Sequence, residues 1–449
     1  MGSLSRPLVA AIFACGLFLL SAPHAPAQTP PVQPGQFIIS ELRFRGPAGD
    51  EDEFIEFYNN TDAEIVVASV DGSPGWALVA DDGVVRFVIP NGTRIPARGH
   101  LLAANSDGYS LTAYPAGDPE FIIGVPVTPV IGPSDRRFEP LAPEDGNIGG
   151  EEETAAASPF GTATPNVTYD VGIDDFGGVA LFTSTVPAQQ TLANRLDAFG
   201  FTPVPTLYRE GAGKPTTGVS EREASYYRDL RGNLPKDTDQ NAADFLLVGT
   251  SADTTGNLLG APGPENLRSP VQTNAGFAVD NLDPQLSASG APNRVRTTAP
   301  VRNGDLGTLI IRRTFTNNTG RPVTRLRFRV IDLTTLGSPA VCGANGTSPC
   351  ADMRVLSSQD GQASSPNIGT VAVRGVKLEE PPEQDSFHGG GLNSSLSAEF
   401  INTRTPLAPG ERVNIQFTLG IMRGGTFRFF INIEALVAPE TDEPGPPGV

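Results

Sequence analysis

The sequence predicts an all-β fold, and three observations support that prediction. The 50 glycines and 42 prolines among 449 residues make up roughly a fifth of the chain, against about an eighth in average proteins, and both residues interrupt helices. Short segments in which apolar and polar residues alternate recur about every eight to twelve residues, as in a sandwich or barrel. The hydrophobic share of 39% is enough for packed cores, and the length allows two or three domains.

The first 27 residues predict a signal peptide. Arg6 precedes an apolar run over 8–20, and the small residues of 25–27 fit a signal-peptidase site with cleavage between Ala27 and Gln28. The run is too short to span a membrane, so we expect no transmembrane segment in the mature chain. Loss of Arg6 from the 32 basic residues leaves 31 against 50 acidic residues, a net charge of −19. We therefore expect an acidic protein that is secreted, extracellular or in the cell envelope.

Two of the three cysteines would remain after export, because Cys15 lies inside the apolar run and would be removed with the signal peptide. The residues before Cys15 fit a lipoprotein signal poorly, so a lipid anchor on it is not expected. Cys342 and Cys350 flank a short stretch of turn-forming residues, and an oxidising compartment favours a disulfide between them. A loop of this length would gain on the order of 2.5 kcal/mol of stability from the bond. A metal pair is the weaker alternative, since only His100 and His388 could complete its ligands.

The N-terminal half of the mature chain consists of short apolar-rich segments that end at turn residues. Leu42 and Phe44 alternate with charged neighbours in the first segment, and turn residues at 46–49 and 59–62 delimit the second. Proline and glycine separate the later segments in the same way. The predicted strands lie at 37–44, 54–58, 65–70, 76–79, 84–89 and 100–104.

Several of these segments, in this order and at this spacing, resemble the lamin tail domain as it occurs in secreted bacterial proteins. The resemblance rests on ISE at 39–41, EFIEFYN at 53–59, GWAL at 75–78, IPNGTRIPA at 89–97 and LLAAN at 101–105, and it resumes with ER at 221–222, DTDQNAADF at 237–245 and GAPGPEN at 260–266. It implies an immunoglobulin-like β-sandwich over 36–266. The stretch around 112–165, rich in proline, glycine and acidic residues, is longer than the family's usual connection and is predicted to be a surface insertion.

A second β-sandwich is predicted over 270–438. On diffuse patterning this half resembles the immunoglobulin-like modules of bacterial surface proteins, so the fold expected for the whole chain is two tandem immunoglobulin-like β-sandwich domains with long Pro- and Gly-rich loops. The proline and acidic residues of 439–449 predict a disordered tail. Turn-rich connectors predict two antiparallel hairpins. These pair 309–315 with 323–330 and 412–419 with 426–435.

Three arginines would form a row on one face of a strand in this half. Arg325, Arg327 and Arg329 alternate with apolar residues, and alternate residues of a strand share a face. The interpretation that the sequence favours is a solvated sheet face that balances the acidic surface. A site for an anion or a partner is the alternative.

Calcium is the one cofactor that the sequence suggests. Its candidate ligands are Asp237, Asp239 and Asn241, whose oxygens fall at alternate positions. Ala242 and Val248 stand where an EF-hand needs a glycine and a bidentate glutamate, so only a looser loop site is left. The interpretation that the sequence favours is a network of Asx turns, with the calcium site as the alternative. The acidic turn with Asp50 and Asp52 presents the same choice between a cation site and a solvated turn.

The sequence lacks the motifs of several common enzyme classes: it has no Gly-x-Ser-x-Gly elbow, no zinc-protease motif, no phosphate loop and no dinucleotide fingerprint. The expected function is therefore non-enzymatic, with β-sandwich modules that bind or support protein or glycan partners. A metal-dependent hydrolase or nuclease-associated protein using an acidic loop is the alternative, because lamin tail domains accompany extracellular nucleases in some bacterial chains. The acidic net charge argues against nucleic acid as a partner.

Overall fold

In the computed structural model, which describes residues 31–116, 163–216, 222–251, 257–343, 345–381 and 389–438, nearly all regular structure is β-strand. This confirms the all-β class. The predicted signal peptide and its cleavage site, most of the 112–165 insertion, His388 and the 439–449 tail lie outside the described residues. Within the described ranges, no helix is long and apolar enough to cross a membrane. In the same described residues, one α-helical turn, α1, covers Asn241–Asp244, and 3-10 turns lie at Leu111–Ala113, Pro187–Gln189, Leu192–Asn194, Thr206–Tyr208 and Asn274–Gly276.

Two main sheets and a two-stranded ladder form the N-terminal half. Its strands are β1 Phe37–Arg43, β2 Phe54–Asn59, β3 Ile65–Val66, β4 Gly75–Ala80, β5 Val85–Pro90, β6 Arg94–Ile95, β7 His100–Asn105, β8 Val167–Tyr169, β9 Gly178–Phe182, β10 Arg195–Gly200, β11 Ala224–Arg228, β12 Phe245–Gly249 and β13 Leu258–Leu259. One main sheet has the order β13-β12-β11-β1-β2-β7-β8 and the other the order β10-β9-β4-β5, and β3 and β6 form the ladder. Their apolar side chains, including Phe37, Phe57 and Trp76, form a shared core.

Most strands predicted in this half are confirmed to within one residue at each end. The prediction at 65–70 is wrong for most of its length, because only Ile65–Val66 pairs with another strand, β6. The chain beyond it serves another purpose: the backbone oxygen of Ala68 accepts a hydrogen bond from Nε1 of the buried Trp76 at 2.9 Å. That contact satisfies the indole N–H, which would otherwise be costly to bury.

Two further main sheets and two ladders of two strands each form the C-terminal half. Its strands are β14 Val271–Gln272, β15 Phe277–Asn281, β16 Arg294–Arg296, β17 Thr308–Asn317, β18 Val323–Leu333, β19 Val341–Cys342, β20 Ser348–Pro349, β21 Asp352–Leu356, β22 Gly361–Ser365, β23 Gly369–Val373, β24 Lys377–Leu378, β25 Ser395–Ser397, β26 Arg412–Arg423 and β27 Phe429–Val437. One main sheet has the order β14-β27-β18-β25-β24; the other has the order β15-β17-β26-β21, with β16 also on β17. The ladders are β19-β20 and β22-β23. Phe315, Phe328 and Phe417 pack in the core of this half.

The structure contradicts both hairpins predicted in the C-terminal half. β17 pairs with β26 and β18 pairs with β27, so consecutive strands lie in different sheets. Each connector is therefore an arch between sheets and not a hairpin turn. Asn317 supports the first arch, because its Nδ2 donates to the backbone oxygens of Arg321 and Leu407, both at 2.8 Å. The apolar faces of the two strands consequently meet across the core.

The two halves are joined directly. The backbone N–H of Leu392 donates to the oxygen of Leu259 at 2.9 Å. Gly260 and Gly391 permit this approach, because a Cβ on either residue would collide with the opposite backbone. The described residues from Val32 onward belong to one compact unit.

The predicted cysteine pair lies at disulfide distance. The Cα atoms of Cys342 and Cys350 are 4.9 Å apart. The pair lies at the small ladder of β19 and β20, so the bond supports a loop and does not hold the sandwich core together.

Candidate functional site

The structure separates the three residues of the predicted calcium loop. Asp237 Oδ1 forms an ion pair with Nη1 of Arg228 at 3.2 Å. Asn241 is buried, and its Oδ1 accepts a hydrogen bond from the backbone N–H of Glu210 at 2.8 Å. Asp239 is exposed and has a positive φ of 55°. Of the three, Asp237 alone belongs to a cluster of carboxylates close enough for a metal ion, as far as the described residues show.

That cluster already contains a cation. Carboxylate oxygens of Asp197, Glu210 and Asp237 lie within 4.8 Å of one another, and the guanidinium of Arg228 lies among them. Its Nη2 is 2.6 Å from Asp197 and 3.8 Å from Glu210, and its Cζ lies 4.6 Å from the ring centre of Phe245. Burial and the charge of Asp197 raise the pKa of Glu210 to about 10, which keeps that carboxyl neutral at pH 7. The position that a metal ion would take is filled by Arg228.

The acidic turn also divides its two predicted ligands. Asp52 is fully buried, forms an ion pair with Arg43, and accepts hydrogen bonds from the N–H and the hydroxyl of Ser110 at 3.0 and 2.8 Å. Asp50 has a side chain that is 74% exposed and pairs with Arg45. The interpretation as a solvated turn therefore holds for Asp50 and is wrong for Asp52, which fixes the turn against β1.

The arginine row is buried, so the prediction of a solvated face is wrong. The predicted alternation is correct, because Leu326 and Phe328 belong to the sandwich core. The opposite face packs against the N-terminal half, and the side chain of Arg327 is 0% exposed. Arg325 and Arg329 are buried as well. The sequence pattern identified the face of the strand but not what covers it.

Carboxylates from three segments neutralise Arg327 and Arg329 of this row. Arg329 lies 2.8 Å from Glu434 through Nε and 2.6 Å from Glu265 through Nη2. Arg327 lies 2.5 Å from Glu434 and 3.5 Å from Glu379, and it also contacts Glu265. Burial would raise the pKa of Glu434, but the charges of Arg327 and Arg329 outweigh that effect and lower it. Because Glu265 ends the N-terminal half and Glu434 lies on β27, these ion pairs link the two halves.

Further side chains extend the network into the N-terminal sheet. His100 lies between two carboxylates, with Nδ1 3.0 Å from Glu56 and Nε2 2.9 Å from Glu265. Glu41 accepts a hydrogen bond from Nδ2 of Asn393 at 2.9 Å, and burial together with the charge of Glu56 raises its pKa to about 7. The charged junction, as we call this network, comprises Glu41, Glu56, His100, Glu265, Arg327, Arg329, Glu379 and Glu434.

The charged junction has little room for a ligand. Its cavity measures about 40 Å³, enough for a few water molecules. Glu56, His100 and Glu265 present ligand atoms within 4.8 Å of one another. However, His100 engages both carboxylates with its two ring nitrogens, and Arg329 supplies positive charge 2.6 Å from Glu265. The arrangement is a closed ion-pair network.

An open groove of about 630 Å³ lies between the two sheets of the C-terminal half. Its floor is the sandwich core, since Phe315 of β17 and Phe417 of β26 are both 1% exposed. Phe429 and Ile431 of β27 form a wall, and Phe430 beside them is 56% exposed. Large exposed aromatic residues at an apolar cleft are typical of binding surfaces. We call this surface, together with Arg294 and Arg313, the aromatic groove.

Two arginines face the aromatic groove without a carboxylate partner among the described residues. Arg313 follows Ile311 on the inner face of β17, and its Nη1 donates to the backbone oxygen of Arg312 at 2.7 Å. Arg294 lies opposite Ile311 in the ladder, with its guanidinium 5.5 Å from the ring centre of Phe427. Its Nε is buried and has no hydrogen-bond partner in the described structure. Burial, and then the nearby charge of Arg294, lower the pKa of Arg313.

Sequence reasoning missed this groove. One signal was available: in LIIRRTF at 309–315, strand alternation places Arg313 on the same face as Ile311 and Phe315, an unusual location for a cation. The other segment that lines the groove is FRFF at 427–430, which the sequence assigns to a hairpin. Its approach to β17 depends on the pairing of β27 with β18, which the pattern did not reveal.

No protein-family model matches the chain, and no curated protein or solved structure is significantly similar to it. The resemblance to lamin tail domains therefore stays an expectation from the segments quoted above. The aromatic groove and the charged junction are the features of the described structure that bear on function.

Proposed function

We propose that this is a non-enzymatic binding protein, secreted or held in the cell envelope, whose aromatic groove takes an apolar group of its ligand. We also propose that the two halves are tandem immunoglobulin-like β-sandwiches and that the first is of the lamin-tail type. The observation that carries the function is the groove itself. Its volume of about 630 Å³ falls within the range of small-ligand pockets, about 300 to 1,000 Å³.

The surroundings of the groove support a preformed site. Its floor belongs to the packed core, where the ring of Phe417 lies 6.2 Å from Phe315 and 6.0 Å from Phe429, centre to centre. Across β18, the charged junction fixes the same sandwich to the N-terminal half. A ligand would therefore meet walls that are already ordered, and ordering costs on binding would be small.

The alternative function, a metal-dependent hydrolase, has less support. Two groups of side chains among the described residues could ligate a metal ion, and a buried guanidinium lies beside each of them. Arg228 lies beside Asp197 in one group, and Arg329 lies beside Glu265 in the other. A metal ion would have to displace an ion pair at either place. A protein or glycan partner, as expected from the sequence, would have to offer an apolar group to the aromatic groove.

Binding of Nile red, a neutral dye that fluoresces in apolar surroundings, tests this proposal. We expect one equivalent of dye to bind to the mature chain, and Phe430→Ala to weaken binding about three- to tenfold, because truncation removes apolar contact. Phe176→Ala is the matched control, since Phe176 is also an exposed phenylalanine, at 42%, but does not line the groove. Absence of dye binding, or equal loss in both variants, would refute the groove as the site.

A further inference from the structure

Arg294 and Arg313 of the aromatic groove differ from the deeply buried arginines elsewhere in the described structure. Arg43, Arg228 and Arg327 each lie against at least two carboxylates. Acidic residues are plentiful, at 50 against 32 basic ones, so partners could readily have been supplied. Arg294 and Arg313 nevertheless have none among the described residues.

Unpaired guanidinium groups at an apolar surface carry an energetic penalty. Each loses part of its hydration, and the two repel each other because both are positive. The third arginine of the groove, Arg428, is already neutralised by Asp332 at 2.8 Å. The inner pair, Arg294 and Arg313, therefore leaves two positive charges next to apolar walls. An anion bound between them would restore hydrogen bonds and neutralise charge in one step.

We propose that the aromatic groove binds a small amphiphilic carboxylate of the fatty-acid type. Its carboxylate would lie between Arg294 and Arg313, and its hydrocarbon chain would lie along the wall formed by Phe429 and Ile431. This inference rests on the proposed function and names the ligand class for the same site. The planar fork of a guanidinium matches the two oxygens of a carboxylate. The aromatic walls suit a hydrocarbon chain, whereas a glycan needs many more hydrogen-bonding groups than they offer.

The acidic net charge does not oppose this ligand. Exposed charges are screened over roughly 10 Å at moderate ionic strength, so the −18 of the whole chain acts weakly on a bound group. The guanidinium groups of Arg294 and Arg313 act at contact and beside apolar side chains, where attraction is stronger than in water. Local charge therefore decides which ligand is accepted.

Laurate and its uncharged counterpart 1-dodecanol separate this inference from the proposed function. In calorimetric titrations of the mature chain, we expect laurate to bind about 10- to 100-fold more tightly than dodecanol. Arg313→Met should abolish that advantage and leave dodecanol binding intact. Arg412→Met is the matched control, because Arg412 is an exposed arginine of β26 that does not line the groove, and it should keep the full advantage of laurate.

Stability measurements on the same variants exclude a trivial cause. Arg313→Met should keep or raise the melting temperature of the unmodified protein, since no carboxylate is left unpaired and the repulsion from Arg294 is removed. Arg313→Lys should keep part of the preference for laurate because it keeps the charge. Equal affinity for laurate and dodecanol in the unmodified protein, or a preference that survives in Arg313→Met, would overturn the carboxylate inference while the groove remained an apolar site. Failure of Nile red, laurate and dodecanol alike would overturn the proposed function as well.

Discussion

The charged junction and the aromatic groove use arginine in opposite ways. At the junction, Arg327 and Arg329 are enclosed by carboxylates, and the cavity beside them measures only about 40 Å³. In the groove, Arg294 and Arg313 face an open apolar space of about 630 Å³ without such partners among the described residues. The difference shows that a buried or half-buried charge is not in itself a functional sign. What matters is whether the chain supplies the counter-charge or leaves that to a ligand.

Removal of one arginine from the charged junction should have the largest effect on stability. Arg327→Met leaves Glu265, Glu379 and Glu434 with one cation fewer in a buried setting. We expect it to lower the free energy of unfolding by about 3 to 5 kcal/mol, measured by urea denaturation. Arg313→Met removes the same charge from the groove and should change the same quantity by less than about 1 kcal/mol. Comparable losses in the two variants would abolish the distinction.

A smaller effect should come from titration of the charged junction. In the folded protein the pKa of Glu41 is raised from 4.5 to about 7, so the folded chain binds this proton more tightly than the unfolded chain. Its contribution to stability is therefore full below about pH 4.5 and is lost as the pH rises through about 7. The unmodified protein should therefore lose unfolding free energy between about pH 5 and pH 8 as this proton is released. In Glu41→Gln, which cannot release it, that loss should be smaller by roughly 1 to 3 kcal/mol.

Glu411→Gln is the control for this pH series, because Glu411 is an exposed glutamate of the C-terminal half. Its pH profile should match that of the unmodified protein. If the dependence of unfolding free energy on pH is unchanged in Glu41→Gln, another group causes it. Glu53 is then the next candidate, since burial raises its pKa to about 7 as well.

Calcium should have the smallest effect of all. Arg228 already lies among Asp197 and Asp237, and Arg43 lies against Asp52, so no added cation is needed at either place. We expect millimolar calcium to leave the melting temperature unchanged in calorimetric scans. A rise specific to calcium, and lost in Asp237→Asn, would contradict the placement of Arg228 and favour the loop site that the sequence suggests.

The strands could be predicted from the sequence, but much of their pairing could not. Alternation and turn residues located β1, β2 and β7 to within a residue because both signals are local. The pairing of β17 with β26 joins segments about a hundred residues apart in the chain, and two amphipathic strands around a short connector fit an arch as well as they fit a hairpin. Only the tertiary packing distinguishes these alternatives.

The candidate sites show the same limit. Alternation placed the arginine row correctly on one face of β18, but its partners Glu265 and Glu434 lie far away in sequence, so its burial could not be inferred. Alternation also places Arg313 on an inner face. Its lack of a carboxylate depends on every segment that surrounds the groove, which local patterns do not describe.

A crystal structure of the mature chain with laurate tests the central claim most directly. We predict the carboxylate oxygens within about 3 Å of the guanidinium groups of both Arg294 and Arg313, with the hydrocarbon chain along Phe429 and Ile431. Laurate bound elsewhere, or bound in the groove with its carboxylate turned away from both arginines, would contradict the account.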